Sequence, residues 1–349
     1  MLVRIVGSGL IGTSIGLASR GLGAEVEMVD SEPTRSRLAQ DLVGGYRSGP
    51  ADIVVLALPS SKLASVLLNE FQLNPKSVFM DIGSTKTNPQ QEVEQFEEFK
   101  TQFCGTHPMA GRESGGPESA RADLFEGRPW ILCPSQATSP ATLEVVERFV
   151  RSLGSVAITM SASDHDAAVA LVSHLPQIVA SLMAAQLSGS PEESLALAGQ
   201  GLRDTTRIAH SDPRLWREII SMNRSEILPL LSSLQSQLGS LIANFENPDV
   251  IEEVIRKGKA GVEAIPGKHG GRARDYFYLS VVIDDKPGQL AALFNECAKA
   301  EVNVEDLTIE HSPGQFTGLI SLALSEMDAE KLSSHLAHNG WKVHSLRSD

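Results

Sequence analysis

Hydrophobic and polar positions divide the chain into three textures. Up to about residue 162, short apolar runs alternate with stretches of helical spacing. Leu2–Val6 reads as a short strand, followed by a glycine-rich turn and a helix of small residues. Glu25–Val29 alternates polar and apolar and stops at Asp30. The run DIVVLAL at 52–58 is almost wholly apolar, as a strand covered on both faces should be. Comparable runs at 77–81, 129–133 and 156–160 extend the series. Strand–helix alternation of this kind predicts a parallel sheet with helices on both faces.

From 164 to 244 the strand signal fades. Ala167, Ala168, Leu171, Val172, Leu175, Ile178, Val179 and Leu182 recur at three- and four-residue steps, the period of an α-helix. Pro176 lies inside this helix and predicts a kink, because it cannot donate to the carbonyl of Val172. Further helical stretches begin at Leu195 and at Trp216, the last running to Leu241. Helices this apolar need a partner surface, which predicts a helical domain shared with a second subunit. Residues 266–275, rich in glycine and basic residues, read as a linker. The remainder, 276–349, runs strand, helix, strand, strand, helix, strand, the ferredoxin-like βαββαβ order.

Composition excludes several classes of function. With 42% hydrophobic and 21% charged residues, the chain is neither disordered nor fibrous. Thirty Lys and Arg against 43 Asp and Glu leave a net charge of −13, which speaks against a nucleic-acid binder. No uninterrupted apolar stretch approaches the ~20 residues a bilayer needs, so no membrane association is expected. The apolar run near the N-terminus, broken by three glycines, reads as structure and not as a leader. Cys104, Cys133 and Cys297 are odd in number and far apart, which predicts reduced thiols in a cytoplasmic protein, without a disulfide framework or a metal site.

The turn after the first strand carries Gly7, Ser8, Gly9, Leu10, Ile11 and Gly12, a GxGxxG spacing between a strand and a helix. There the first glycine permits a tight turn, the second lets a pyrophosphate approach the backbone, and the third lets helix and sheet pack closely. Asp30 ends the next strand, where a carboxylate bonds the ribose hydroxyls and repels a 2′-phosphate. The predicted fold therefore begins with a Rossmann-type domain over 1–162, and the predicted cofactor is NAD. Hydride transfer also calls for a base and for cations that hold substrate carboxylates. His107, in the loop CGTHPMAG, is the candidate base, with Ser84 in DIGSTK at an equivalent strand end. His174 sits beside the expected kink, and Arg203 and Arg207 lie one helical turn apart, suited to a dicarboxylate. His165 and His210 read as surface residues.

Together these residues resemble the prephenate/arogenate dehydrogenase family of tyrosine biosynthesis. The resemblance rests on GSGLIG with Asp30, DIGSTK, GTHPMAGRESGG, VSHLP and GLRDTTRIAHSDPRLW, in family order. DDKPGQLAALF and EVNVEDL resemble an ACT domain, a regulatory module that often binds an amino acid. The resemblance implies an all-helical substrate and dimerisation domain over 163–265 and a homodimer. It implies that His107 accepts the C4 hydroxyl proton, that Ser84 orients it, and that Arg207 holds a substrate carboxylate with His174 nearby. Glu113 matches an acidic residue at the cleft, and Trp216 one that supports the substrate helix. Arg112 and Arg203 depart from the residues expected at those places. The small-molecule substrate is prephenate or, alternatively, arogenate. Asp285, Gly288, Gln289 and Asn303 mark where an effector such as tyrosine would bind. A β-hydroxyacid dehydrogenase is disfavoured, because no lysine occurs between Lys100 and Lys257 to serve as its helix-borne base. A non-catalytic NAD and amino-acid sensor is the alternative from another class.

Overall fold

Leu2–Val6 (β1), Glu25–Val29 (β2), Ile53–Leu56 (β3), Val78–Asp81 (β4), Phe103–Pro108 (β5), Pro129–Cys133 (β6) and Val156–Thr159 (β7) form one sheet in a computed structural model of the chain. Their order is β2-β1-β3-β4-β5-β6-β7. The structure describes residues 1–46, 49–111, 115–265, 276–310 and 316–348. It divides the chain into two units, Met1–Leu238 and Gly239–Asp349. The predicted linker 266–275 lies outside the described residues.

The first five strands run parallel. All four residues of β3 are buried, as its unbroken apolar run requires. Ile53 and Val55 face one apolar core with Ile15, Trp130 and Phe149, while Val54 and Leu56 face another with Leu63, Phe79 and Phe99. Helices Leu10–Gly21 (α1), Pro33–Val43 (α2), Leu63–Leu73 (α3), Thr87–Val93 (α4) and Pro140–Ser152 (α5) supply the covering layers. The expectation of a wholly parallel sheet needs correction at β6, which runs antiparallel to β5, with β7 parallel to β6. Among its described residues, the connection from Met109 to Arg128 holds only the 3-10 turn Pro117–Ser119. A parallel return is usually made through a crossover helix, which this connection does not provide.

The helical part of the first unit follows. It comprises Ala162–Val169 (α6), Leu175–Ala185 (α7), Glu192–Leu195 (α8), Gln200–Thr206 (α9), Pro213–Met222 (α10) and Arg224–Ala243 (α11), whose end crosses into the second unit. The kink expected at Pro176 takes the form of a π-helical turn, Ala170–His174. Widening the turn absorbs the missing N–H of Pro176, which then sits in the first turn of α7, where no donor is needed. The helix expected to run from Trp216 to Leu241 is interrupted at Asn223.

Through α6, the π turn and α7, the buried and exposed faces are reversed from the usual pattern. His165, Asp166, His174 and Gln177 are buried, whereas Leu171, Val172 and Leu182 are 55%, 64% and 58% exposed. His165, expected at the surface, has no exposed area at all. The amphipathic rule turns the apolar face inward, but here the polar face meets the sheet domain. A second correction concerns length. The run Ala162–Ala185, 24 residues with a window of mean hydropathy 1.6, is long and apolar enough to cross a membrane by composition. Counting only uninterrupted apolar residues missed it, since Asp164, His165, Asp166 and His174 are scattered through it. Three of those four are buried inside protein.

The second unit contains Pro248–Glu263 (α12) and a sheet of Phe277–Asp284 (β8), Asp306–Glu310 (β9), Thr317–Leu324 (β10) and Lys342–Ser348 (β11). The sheet order is β11-β8-β10-β9, antiparallel throughout. With Gln289–Lys299 (α13) and Glu326–His338 (α14) interleaved, this is the predicted ferredoxin-like topology. Leu279, Val281, Leu293, Ile320 and Leu332 lie in its own core.

Candidate active site

The glycine-rich loop is shaped by contacts that admit no side chain. Gly7 has φ +114°, and a Cβ there would lie 1.9 Å from the carbonyl oxygen of Ala57. A Cβ on Gly12 would lie 2.0 Å from the carbonyl oxygen of Gly7. A Cβ on Gly9, by contrast, would meet nothing within 4 Å. Gly9 caps α1 without any side-chain hydrogen bond, so the first N–H groups of the helix are left for a ligand. The Thr13 hydroxyl is buried there without a partner. Asp30 accepts from the Ser8 N–H at 2.8 Å and from the Glu32 N–H at 2.9 Å, which holds the carboxylate beside the loop. An open backbone, a helix N-terminus and a fixed carboxylate suit a dinucleotide.

Beyond the end of β4, the β4–α4 loop approaches His107, the fifth residue of β5. His107 is partly exposed, and its Nδ1 lies 2.8 Å from Nε2 of buried His165, the two rings set edge to face. His165 Nδ1 in turn lies 2.8 Å from Asp166 Oδ1. The Asp166 carboxylate accepts the Lys86 and Thr87 N–H groups, each at 2.8 Å. Burial would raise the Asp166 pKa, but the bonds from His165, Thr87 and Lys86 hold it below the usual carboxylate value. Burial, with His165, Lys86 and His174 nearby, pushes His107 well below its ordinary value, against the pull of Asp166. The Lys86 ammonium is itself buried in an ion pair with Asp81. Asp81 also accepts the Thr106 N–H at 3.0 Å, fixing the residue before His107.

Asn223 closes the cluster from the helical side. Its amide donates to the Asp166 carbonyl at 2.8 Å and meets His174 Nδ1 at 3.0 Å. His174 is buried, packs edge to face on Trp216 with ring centroids 6.0 Å apart, and is pushed down to about 4 by burial. Asn223 sits at the junction of α10 and α11.

The structure thus brings His107, His174 and Trp216 into one cluster. Ser84 sits two residues before Lys86 in the loop after β4, and no hydrogen bond links it to His107. Arg203 lies on α9 and Arg207 opens the 3-10 turn Arg207–His210, both exposed; that turn packs on α7. Glu113 and Arg112 lie outside the described residues. His165, Asp166 and Asn223 were missed. Ser161, which caps α6 by accepting from Asp164, was the available signal that a helix starts just before the His165–Asp166 pair. In the second unit, Gln289 lines a cavity of about 240 Å³ with Asp284, Trp341 and Lys342. Asp285 and Gly288 are exposed in the adjoining turn, and Asn303 is exposed and bonded to Glu305 at 3.0 Å, not part of that lining. Among the described residues, no group of three or more His, Cys, Asp or Glu side chains could hold a metal ion.

Residues 15–159 match the family of nucleotide-binding domains of prephenate dehydrogenase, and residues 161–256 match the dimerization domain of the same enzymes. The chain belongs to the prephenate/arogenate dehydrogenase family. A probable prephenate dehydrogenase of Streptomyces niveus, NovF, is 29% identical over 98% of this chain and 99% of its own length. The prephenate dehydrogenase of Bacillus subtilis is 27% identical over 94% and 93%. Prephenate dehydrogenase from A. aeolicus, solved with hydroxyphenyl propionate and NAD+, superposes with a TM-score of 0.67 at 27% identity, covering 76% of this chain and 98% of that one. Synechocystis arogenate dehydrogenase gives 0.63 at 26% identity, over 76% and 100%. As a member of this family the chain is an oxidoreductase, which sets aside the non-catalytic sensor.

Proposed function

We propose that this enzyme uses NAD to convert prephenate to 4-hydroxyphenylpyruvate and carbon dioxide in tyrosine biosynthesis. The observation that carries the reading is the uncharged, partly exposed His107 at the end of β5, in a unit that also holds an open glycine-rich cradle. NAD would bind over Gly7, Ser8, Gly9, Leu10, Ile11 and Gly12, with its ribose on Asp30, and would take the hydride from substrate C4. Of the two nearby cations that could favour a 2′-phosphate, Arg35 is paired with Glu32 at 3.0 Å and Arg37 donates to the Pro33 carbonyl at 3.4 Å.

His107 accepts the C4 hydroxyl proton as that oxygen becomes a carbonyl. The ring carboxylate leaves as carbon dioxide, and the electron pair of its bond aromatises the ring. The C4 oxygen ends as a phenol, so the proton returns and none is released overall. Aromatisation supplies the driving force, which leaves positioning and one base to the protein. Arg207, with Arg203, holds a substrate carboxylate; His174 and Trp216 form the pocket wall, and Ser84 bonds the substrate hydroxyl. The resemblance gives Glu113 a part in substrate binding.

Arogenate is the second reading, favoured by the Synechocystis likeness. The second unit acts as an ACT-type regulatory module, with tyrosine bound near Asp285, Gly288 and Gln289; the cavity beside Gln289 supports this, and the place of Asn303 outside its lining does not. The protein acts as a homodimer in the cytoplasm, consistent with its dimerization-domain match and its three buried, unpaired cysteines. The test is NAD reduction by purified protein with prephenate and arogenate side by side, then with tyrosine added. Turnover of prephenate is expected; turnover of arogenate alone would change the substrate, and silence with both would overturn the reading. Tyrosine without effect on rate or melting temperature would overturn the regulatory part.

A further inference from the structure

We infer that His165 and Asp166 form a relay behind His107, fixing which nitrogen of His107 faces the substrate and taking up charge when it is protonated. They are positioning residues for the reaction proposed above, and the inference rests on that reading. Asp166 receives two backbone N–H groups and is an acceptor only, so His165 must donate to it from Nδ1. A neutral imidazole has one N–H, which leaves Nε2 of His165 as an acceptor. That nitrogen lies 2.8 Å from Nδ1 of His107, so His107 donates there, and its own Nε2 keeps a bare lone pair. Of the four tautomer combinations open to two neutral histidines, the carboxylate selects the one in which His107 can act as a base.

The same contacts handle the proton once it is taken. The titratable and charged groups around His107 are His165 and Asp166 from α6, His174 from the π turn, and the Lys86–Asp81 pair beneath the β4–α4 loop. Lys86 disfavours a cation at His107, and Asp166 favours one. A proton passed from His107 Nδ1 to His165 Nε2 would turn His165 and Asp166 into an ion pair at 2.8 Å. Bonds to neighbours on α4 and at Asn223 hold Asp166 in register for this. The arrangement follows the logic of a Ser-His-Asp triad, with a second imidazole between base and carboxylate.

Asp166→Asn keeps the volume but can turn an N–H toward His165, reversing both tautomers. It is expected to lower kcat by about 10²–10⁴ and to move the acid limb of the pH–rate profile, with KM for substrate and Kd for NAD within about threefold of the parent. His165→Gln should recover part of the kcat lost in His165→Ala, because an amide can bridge His107 and Asp166. A kcat within about threefold of the parent in Asp166→Asn, or equal rates for His165→Gln and His165→Ala, would overturn the relay. So would losses confined to KM and melting temperature. Nitrogen-15 NMR of the resting protein is expected to find His107 protonated at Nδ1; protonation at Nε2 would overturn the relay without recourse to activity. If neither prephenate nor arogenate is turned over, the functional reading fails, and the NMR result alone decides the relay.

Discussion

The proposed chemistry rests on His107, His165 and Asp166, and of these only His107 announced itself in the sequence. His107 stood in a loop between glycines and a proline, and its place at a strand end could be read directly. His165 was assigned to the surface because polar residues of an apolar helix normally face water; it is buried, because the polar face of α6 meets the sheet domain. His107→Asn should cut kcat by about 10²–10⁴ while leaving NAD binding intact, measured by stopped-flow turnover and by calorimetric titration. The displaced pKa values also predict a pH response. His107 and His174 are held neutral below their ordinary value of 6.5, His174 down to about 4. The base form of His107 therefore survives acidification, and the acid limb of kcat/KM should lie below pH 6.5. Stability moves the other way. The unfolded chain takes up protons at these histidines near 6.5 and the folded one resists, so stability should fall from about pH 6.5 downward. For His174 the loss levels off near pH 4 at a few kcal/mol, measured by urea unfolding across that range.

Among the elements, the strands were readable and their directions were not. Unbroken apolar runs located β3, β4 and β6, but a run of apolar residues carries no arrow, and β6 proved reversed after a connection whose described residues hold no crossover helix. The helices show a similar division. Spacing located α6 and α7, whereas the π turn between them and the break at Asn223 depend on tertiary partners. Asn223→Ala removes its bonds to the Asp166 carbonyl and to His174, leaving a buried imidazole nitrogen unpaired while the carbonyl keeps a backbone N–H from the end of α6. It should lower stability by about 1–3 kcal/mol, read from the denaturant midpoint, with kcat falling more than KM rises.

Taken whole, the chain exposes an apolar stripe that its own first unit does not cover. Leu171, Val172 and Leu182 lie within the segment matching the dimerization domain, and Leu182→Glu should shift the protein from dimer to monomer in sedimentation at micromolar concentration. The domain order was readable from the change of texture near residue 162 and from the βαββαβ pattern, because each domain repeats its own period. Among the described residues, the second unit's sheet and two helices share a core running from Leu279 to Leu336. For the history of the gene this makes the module exchangeable. Fusion could add such a self-contained core, and truncation could remove it. The regulation proposed for it could then be gained or lost in one recombination, while the chemistry proposed at His107 stayed as it was.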